Sequence, residues 1–118
     1  VKMKRIIILM FITTLLACGC SHSTQSHNPA WVDELIAKFQ SEPVGYPPQS
    51  IYRYEYNGQT VYYVPPQCCD QYSTLYDTNG NIICAPDGGL TGNGDGQCPD
   101  FFYQCTDGIL IWNDIRTR

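Results

Sequence analysis

Residues 51–64 read IYRYEYNGQTVYYV, a strong signal for a β-hairpin. Aromatic and apolar residues recur on both sides of Asn57-Gly58, the pair favoured at the centre of a two-residue type I′ turn. The pattern predicts two antiparallel strands, over 51–56 and 59–64, joined by this turn.

The turn also fixes the register, which places Tyr52, Tyr54 and Tyr63 on one side of the ribbon and Tyr62 on the other. We expect one side to pack on a helix and the other to stay partly exposed. Exposed tyrosines can contact a sugar or a peptide, so Tyr52, Tyr54, Tyr62 and Tyr63 form a candidate ligand surface. The alternative is that they are half-buried strand residues.

A helix is predicted before the hairpin. Asn28 can cap it, Pro29 suits its first turn, and Pro43 and Gly45 end it. Apolar residues recur every three or four positions and form one buried stripe. They are Val32, Leu35, Ile36 and Phe39, with Trp31 as an extension.

A second hairpin is predicted over 74–85, turned by Asn79-Gly80, and residues 109–112 indicate a final buried strand. The fold class is therefore α+β, with one amphipathic helix laid across a small antiparallel meander. Cystatin-like and PepSY-like domains share this order of elements, and several of those act as inhibitors or binding modules; this is analogy at the level of fold.

A glycine-rich loop, residues 86–99, follows the second hairpin. It holds five glycines, which indicates several unusual backbone angles. Four oxygen-bearing residues in or beside it make a weak candidate calcium site, since such a loop can turn several oxygens inward. They are Asp87, Asn93, Asp95 and Asp100. The alternative is ordinary turn chemistry.

Five cysteines lie in the predicted domain. Cys68 and Cys69 are adjacent and should reach different partners, for which Cys84 and Cys98 are the natural choices; spacing leaves open which pairs with which. Cys105 is then left over, and it is either free or bonded to Cys20 or to another chain. Such disulfides would staple a domain whose core is small. A zinc site is disfavoured because the sequence has no Cys-x-x-Cys pair.

Catalysis has little support in the sequence. Both histidines, His22 and His27, precede the predicted helix, so the predicted domain has no histidine-based triad. Asp95 and Asp100 are the one conceivable glycosidase-like carboxylate pair, in a chain too small to build a substrate cleft around them. We expect no enzyme activity.

The N-terminus resembles the signal of a bacterial lipoprotein. Three basic residues precede an apolar run, and Leu15-Leu16-Ala17-Cys18 is similar to a lipobox. The resemblance implies a signal peptide over 1–17, a lipid on Cys18 or alternatively Cys20, a polar tether over 18–28 and a single domain over 29–118. It also implies a cell-envelope location, with the outer membrane favoured because Gly19 follows the lipidated residue.

Loss of the signal would make the mature chain strongly acidic. It would leave four basic residues against eleven acidic ones, a net charge of −7 in place of −4. Such a domain repels phosphates, so we expect no nucleic-acid partner.

Several motifs together resemble an uncharacterised family of small secreted and lipid-anchored bacterial proteins. They are Cys68-Cys69-Asp70, Leu75-Tyr76-Asp77, Cys84-Ala85-Pro86-Asp87-Gly88-Gly89 and residues 94–101. The resemblance implies a domain held by four cysteines and supplies no activity. We expect a binding module for a protein or saccharide; the alternatives are an inhibitor of a hydrolase and a calcium-stabilised structural module.

Overall fold

The computed structural model describes residues 27–68 and 70–117. The predictions for the signal peptide, Cys18, Cys20, Cys69 and most of the tether therefore lie outside the described residues. Within these residues, two helices and five strands follow in chain order. They are α1 (Ala30–Ser41), β1 (Ser50–Tyr56), β2 (Gln59–Val64), β3 (Thr74–Tyr76), β4 (Ile82–Cys84), α2 (Phe101–Gln104) and β5 (Thr106–Asn113).

The strands form one antiparallel sheet in the order β4-β3-β2-β1-β5, so the fold is α+β and mostly β. Between β1 and β2, Asn57 and Gly58 both have positive φ, at 50° and 74°, as a type I′ turn requires. Tyr54 pairs with Val61 and Tyr52 with Tyr63, which is the register predicted from the turn.

The turn between β3 and β4 is wider than the predicted Asn-Gly turn. It spans residues 77–81 and is organised by Asp77, whose carboxylate accepts hydrogen bonds from the backbone N–H groups of Asn79 and Asn81. Gly80 has a φ of 83° and lies against the ring of Trp31, where a Cβ would come within 3.0 Å of ring atoms. The glycine is thus required by both backbone angle and space.

Helix α1 covers one face of the sheet. The predicted stripe packs on this face, with Val32 and Phe39 buried against Ile51 and Tyr62. Asn28 does not cap the helix: Pro29 occupies the N-cap position and no side chain bonds there, because the helix begins one residue later than the capping prediction needs.

The opposite face is also covered, which the sequence did not predict. The glycine-rich loop and α2 lie over it, and Phe101 is completely buried against Tyr56, Val61 and Tyr63. Adjacent residues of a strand point to opposite faces, so Tyr62 faces α1 while Tyr63 faces the loop.

Strand β5 is the predicted final strand, but it forms an edge of the sheet and only Ile111 and Trp112 of its apolar run pack against the core beneath α1. Its apolar run includes Ile109 and Leu110, which are both nearly half exposed because β5 has a neighbour on one side only. After β5, Arg116 donates to the carbonyls of Phe39 and Gln40 at the end of α1, and Asp114 holds its guanidinium. The cation thus meets the negative end of the helix dipole.

Within the described residues, no helix combines the length and apolar character needed to cross a membrane.

Candidate functional site

The glycine-rich loop is held to the sheet by its own backbone. The Asp95 N–H donates to the Ala85 carbonyl at 3.0 Å, and the Ser73 N–H donates to the Asp87 carbonyl at 3.1 Å. Gly94 has positive φ and lies directly on the Ala85 carbonyl, so a Cβ there would overlap that oxygen. The glycine-rich loop is therefore an ordered element with a defined backbone conformation.

A disulfide closes the loop at its base. Cys84 and Cys98 are bonded to each other, with Cα atoms 6.2 Å apart. The prediction that each would pair with Cys68 or Cys69 is therefore wrong, because the loop folds back and returns its end to β4. Cys68 is also disulfide-bonded. Cys105 is a free thiol, one of the states that the sequence left open, and burial raises its pKa.

Two tyrosines of the hairpin hydrogen-bond to aspartates, one in the glycine-rich loop and one directly before α2. The Tyr63 hydroxyl lies 2.9 Å and 3.1 Å from the two carboxylate oxygens of Asp87. The Tyr56 hydroxyl donates to the Asp100 carboxylate at 2.7 Å. Burial, and then the bond to Asp87, raise the pKa of Tyr63; the bond to Asp100 is the main cause that raises the pKa of Tyr56. Both hydroxyls therefore stay protonated and remain donors.

An open cleft of about 320 Å³ lies between the loop and α2. We call it the loop cleft; its lining residues are Pro86, Asp87, Gly92, Asn93, Pro99, Phe102 and Tyr103. One wall carries the polar groups of Asp87 and Asn93, and the other carries two aromatic rings. Phe102 is 50% exposed and Tyr103 is 88% exposed, so both rings are available to a ligand.

Tyr63 contacts both walls of the loop cleft. Its hydroxyl holds Asp87 on the polar wall, and its ring lies 5.5 Å from the ring of Phe102 in an edge-to-face contact. Phe101 adds a second edge-to-face contact to Phe102 at 5.0 Å. The two walls of the loop cleft are thus fixed relative to each other by one buried side chain.

Three of the four residues of the candidate calcium site accept separate hydrogen bonds within the fold. Asp95 accepts from the N–H groups of Ala85 and Gln97, while Asp87 and Asp100 accept from tyrosines. Among the described residues no three acidic, histidine or cysteine side chains form a metal-binding group. Asp87 and Asn93 both line the loop cleft; Asp95 and Asp100 do not.

The four tyrosines of the candidate ligand surface do not form one surface. Tyr62 and Tyr63 are buried on opposite faces of the sheet, while Tyr52 and Tyr54 pack at the edge of the Tyr63 core. Sequence reasoning missed Phe102 and Tyr103. The signal that could have found them is Phe101-Phe102-Tyr103, in which a helix of four residues can bury only one ring.

Comparison with known proteins gives a family and no function. The model of a family described as a domain of unknown function (DUF6970) matches residues 37–114, which is more than half of the chain and includes every residue of the loop cleft. No curated protein and no solved structure matches the chain.

Proposed function

The chain belongs to the family described as a domain of unknown function (DUF6970), and we propose that it is a non-enzymatic binding domain of the bacterial cell envelope. In this proposal a lipid on Cys18, or on Cys20, anchors the chain, with the outer membrane favoured. The loop cleft holds the partner. The lipobox-like sequence supports the anchor, and the exposed rings of Phe102 and Tyr103 in its lining carry the assignment of the cleft.

The way the cleft is built favours binding. A ligand site gains affinity when its groups are already fixed, because less conformational entropy is lost on association. The disulfide, the backbone bonds and Tyr63 hold both walls before any ligand arrives. Large exposed rings with a few polar groups beside them are the usual composition of such sites.

A non-enzymatic role is supported by the use of the acidic residues. The carboxylates of Asp95 and Asp100, the conceivable catalytic pair, accept hydrogen bonds from the backbone and from Tyr56. These hydrogen bonds give both carboxylates a structural role.

Site-specific photocrosslinking in cells tests the proposed contact surface. A photoreactive phenylalanine analogue at position 103 is expected to form an adduct with an envelope component. The same analogue at position 115 is the matched control, because Ile115 is 83% exposed and lies after β5, away from the loop cleft. Adducts at neither position, or equally at both, would reject the loop cleft as the contact surface.

The anchor is tested separately by metabolic labelling with a radioactive fatty acid. We expect the label on the native chain and its loss in Cys18→Ala. Loss only in Cys20→Ala would move the anchor to the alternative residue, and an unlabelled native chain would reject the lipid anchor.

A further inference from the structure

The two walls of the loop cleft differ in chemistry in a way that specifies a ligand. Phe102 and Tyr103 offer ring surface, while Asn93 offers an amide that both donates and accepts hydrogen bonds. Asp87 offers a carboxylate, which accepts only. A ligand that fits must therefore present an apolar face on one side and several hydroxyl or amide groups on the other.

Asp87 retains capacity for a ligand. An ionised carboxylate has about four lone-pair sites, and the Tyr63 hydroxyl supplies a single proton to it. Asp87 is only partly buried and lines the loop cleft, so a ligand there can reach the carboxylate. The bond from Tyr63 also fixes the orientation of the carboxylate, so it can select ligand hydroxyls by geometry.

The negative charge of the loop cleft disfavours anionic ligands. Among the described residues, those that line the loop cleft include Asp87 and no lysine, arginine or histidine. Phosphate, sulfate and uronic acid groups would be repelled by this carboxylate and would find no cation to pair with. A neutral ligand meets no such penalty.

The shape of the cleft argues against a peptide that binds by adding a strand to a sheet. Its walls are a loop and a four-residue helix, so it offers no strand edge of the kind that binds peptide backbone by adding a strand. Its volume of about 320 Å³ lies at the small end of ligand pockets, and the cleft is open to solvent. It therefore suits one or two rings of a chain that continues outside.

We propose that the loop cleft binds a neutral saccharide, with a pyranose ring stacked on Phe102 and Tyr103 and its hydroxyl or acetamido groups bonded to Asn93 and Asp87. A pyranose ring has C–H groups on its face and polar groups around its edge, which matches the two walls. This inference rests on the proposed function, since it names the ligand of the same cleft. The chemistry is shared by peptidoglycan glycan strands and by neutral glucans.

The test is calorimetric titration of the purified mature protein, in mild detergent, with triacetylchitotriose, cellotriose and trigalacturonate. The first represents N-acetylated glycan strands, the second a neutral glucan, and the third an anionic control. We expect saturable binding of at least one neutral trisaccharide and none of trigalacturonate. Which neutral probe binds more tightly identifies the source.

Variants connect the binding to the cleft. Tyr103→Ala is expected to weaken the affinity about fivefold or more, because a stacked ring is lost, whereas Tyr103→Phe retains the ring and most of the affinity. Ile115→Ala is the surface control and should bind as the native chain does. Since Tyr103 is almost fully exposed, its variants should fold normally, which their urea midpoints verify.

The failures of the two proposals are distinguishable. No binding of either neutral trisaccharide up to about 10 mM, or tighter binding of trigalacturonate, overturns the saccharide assignment. A protein adduct at position 103 in the crosslinking experiment would then leave the binding function standing with a different ligand. Neutral binding that is unchanged in Tyr103→Ala and Phe102→Ala would place the saccharide elsewhere and also overturn this inference.

Discussion

Replacement of Tyr63 by phenylalanine removes one hydroxyl and keeps the ring that supports Phe102. The lost hydroxyl donates to the Asp87 carboxylate, at 2.9 Å and 3.1 Å from its two oxygens. A hydrogen bond to a charged group contributes about 1.5–3 kcal/mol. Asp87 is partly exposed, so water can replace part of the bond, and we expect Tyr63→Phe to lower the free energy of unfolding by ~1.5 kcal/mol, at the lower end of that range.

Urea denaturation measures this effect, with Tyr72→Phe as the matched control. Tyr72 is 57% exposed, so loss of its hydroxyl should leave the urea midpoint nearly unchanged. A double-mutant cycle then assigns the effect to the pair. If Tyr63 acts through Asp87, the cost of Tyr63→Phe should largely disappear in an Asp87→Ala background, which gives a coupling energy of about 1 kcal/mol.

Two results would refute this reasoning. Tyr63→Phe could prove as stable as the native protein, in which case the hydroxyl does not hold the loop. Alternatively, the costs of Tyr63→Phe and Asp87→Ala could simply add, in which case the two side chains act independently.

Three further predictions concern the same scaffold. Cys84→Ala/Cys98→Ala should lose about 3 kcal/mol of unfolding free energy, because the bond closes a loop with a sequence separation of 14; a urea midpoint equal to that of the native protein would contradict this. Gly80→Ala should lower the free energy of unfolding by about 1 kcal/mol or more, because φ is 83° and the new Cβ would press on the ring of Trp31. Gly58→Ala is the control, since its Cβ meets no neighbour and the variant shows the backbone cost alone. Equal urea midpoints for the two variants would contradict the Trp31 contact. Alkali should destabilise the fold, because four tyrosines have a raised folded pKa. Their contribution to stability is constant up to the unfolded pKa of about 10 and is lost as the pH rises above it; urea midpoints that stay level above that pH would be inconsistent with their burial and hydrogen bonds. These tyrosines are Tyr54, Tyr56, Tyr62 and Tyr63.

Local features of the sequence predicted the parts of the fold that local physics decides. The type I′ turn at Asn57-Gly58 fixes the register of β1 and β2 whatever surrounds it. The stripe of α1 has to be buried, and the sheet is the surface that buries it.

The predictions that were wrong concern features that depend on the path of the chain through space. Cys84 and Cys98 are partners because the loop returns to β4, and spacing does not encode that return. The whole apolar run of β5 reads as core, yet Ile109 and Leu110 are nearly half exposed while Ile111 and Trp112 pack against the core beneath α1. Tyr63 and Phe102 are both aromatic in the sequence; one is buried and the other lines a cleft, and only the covering of the sheet by the loop separates them.

Binding of a neutral saccharide in the loop cleft can be followed residue by residue in an NMR titration with triacetylchitotriose and cellotriose. We predict that, for at least one of them, saturable shifts are concentrated at the backbone amides of Gly92, Asn93 and Tyr103, with the amides of α1 unmoved. Shifts confined to α1 or β5, or no shifts with either sugar at about 10 mM, would contradict it.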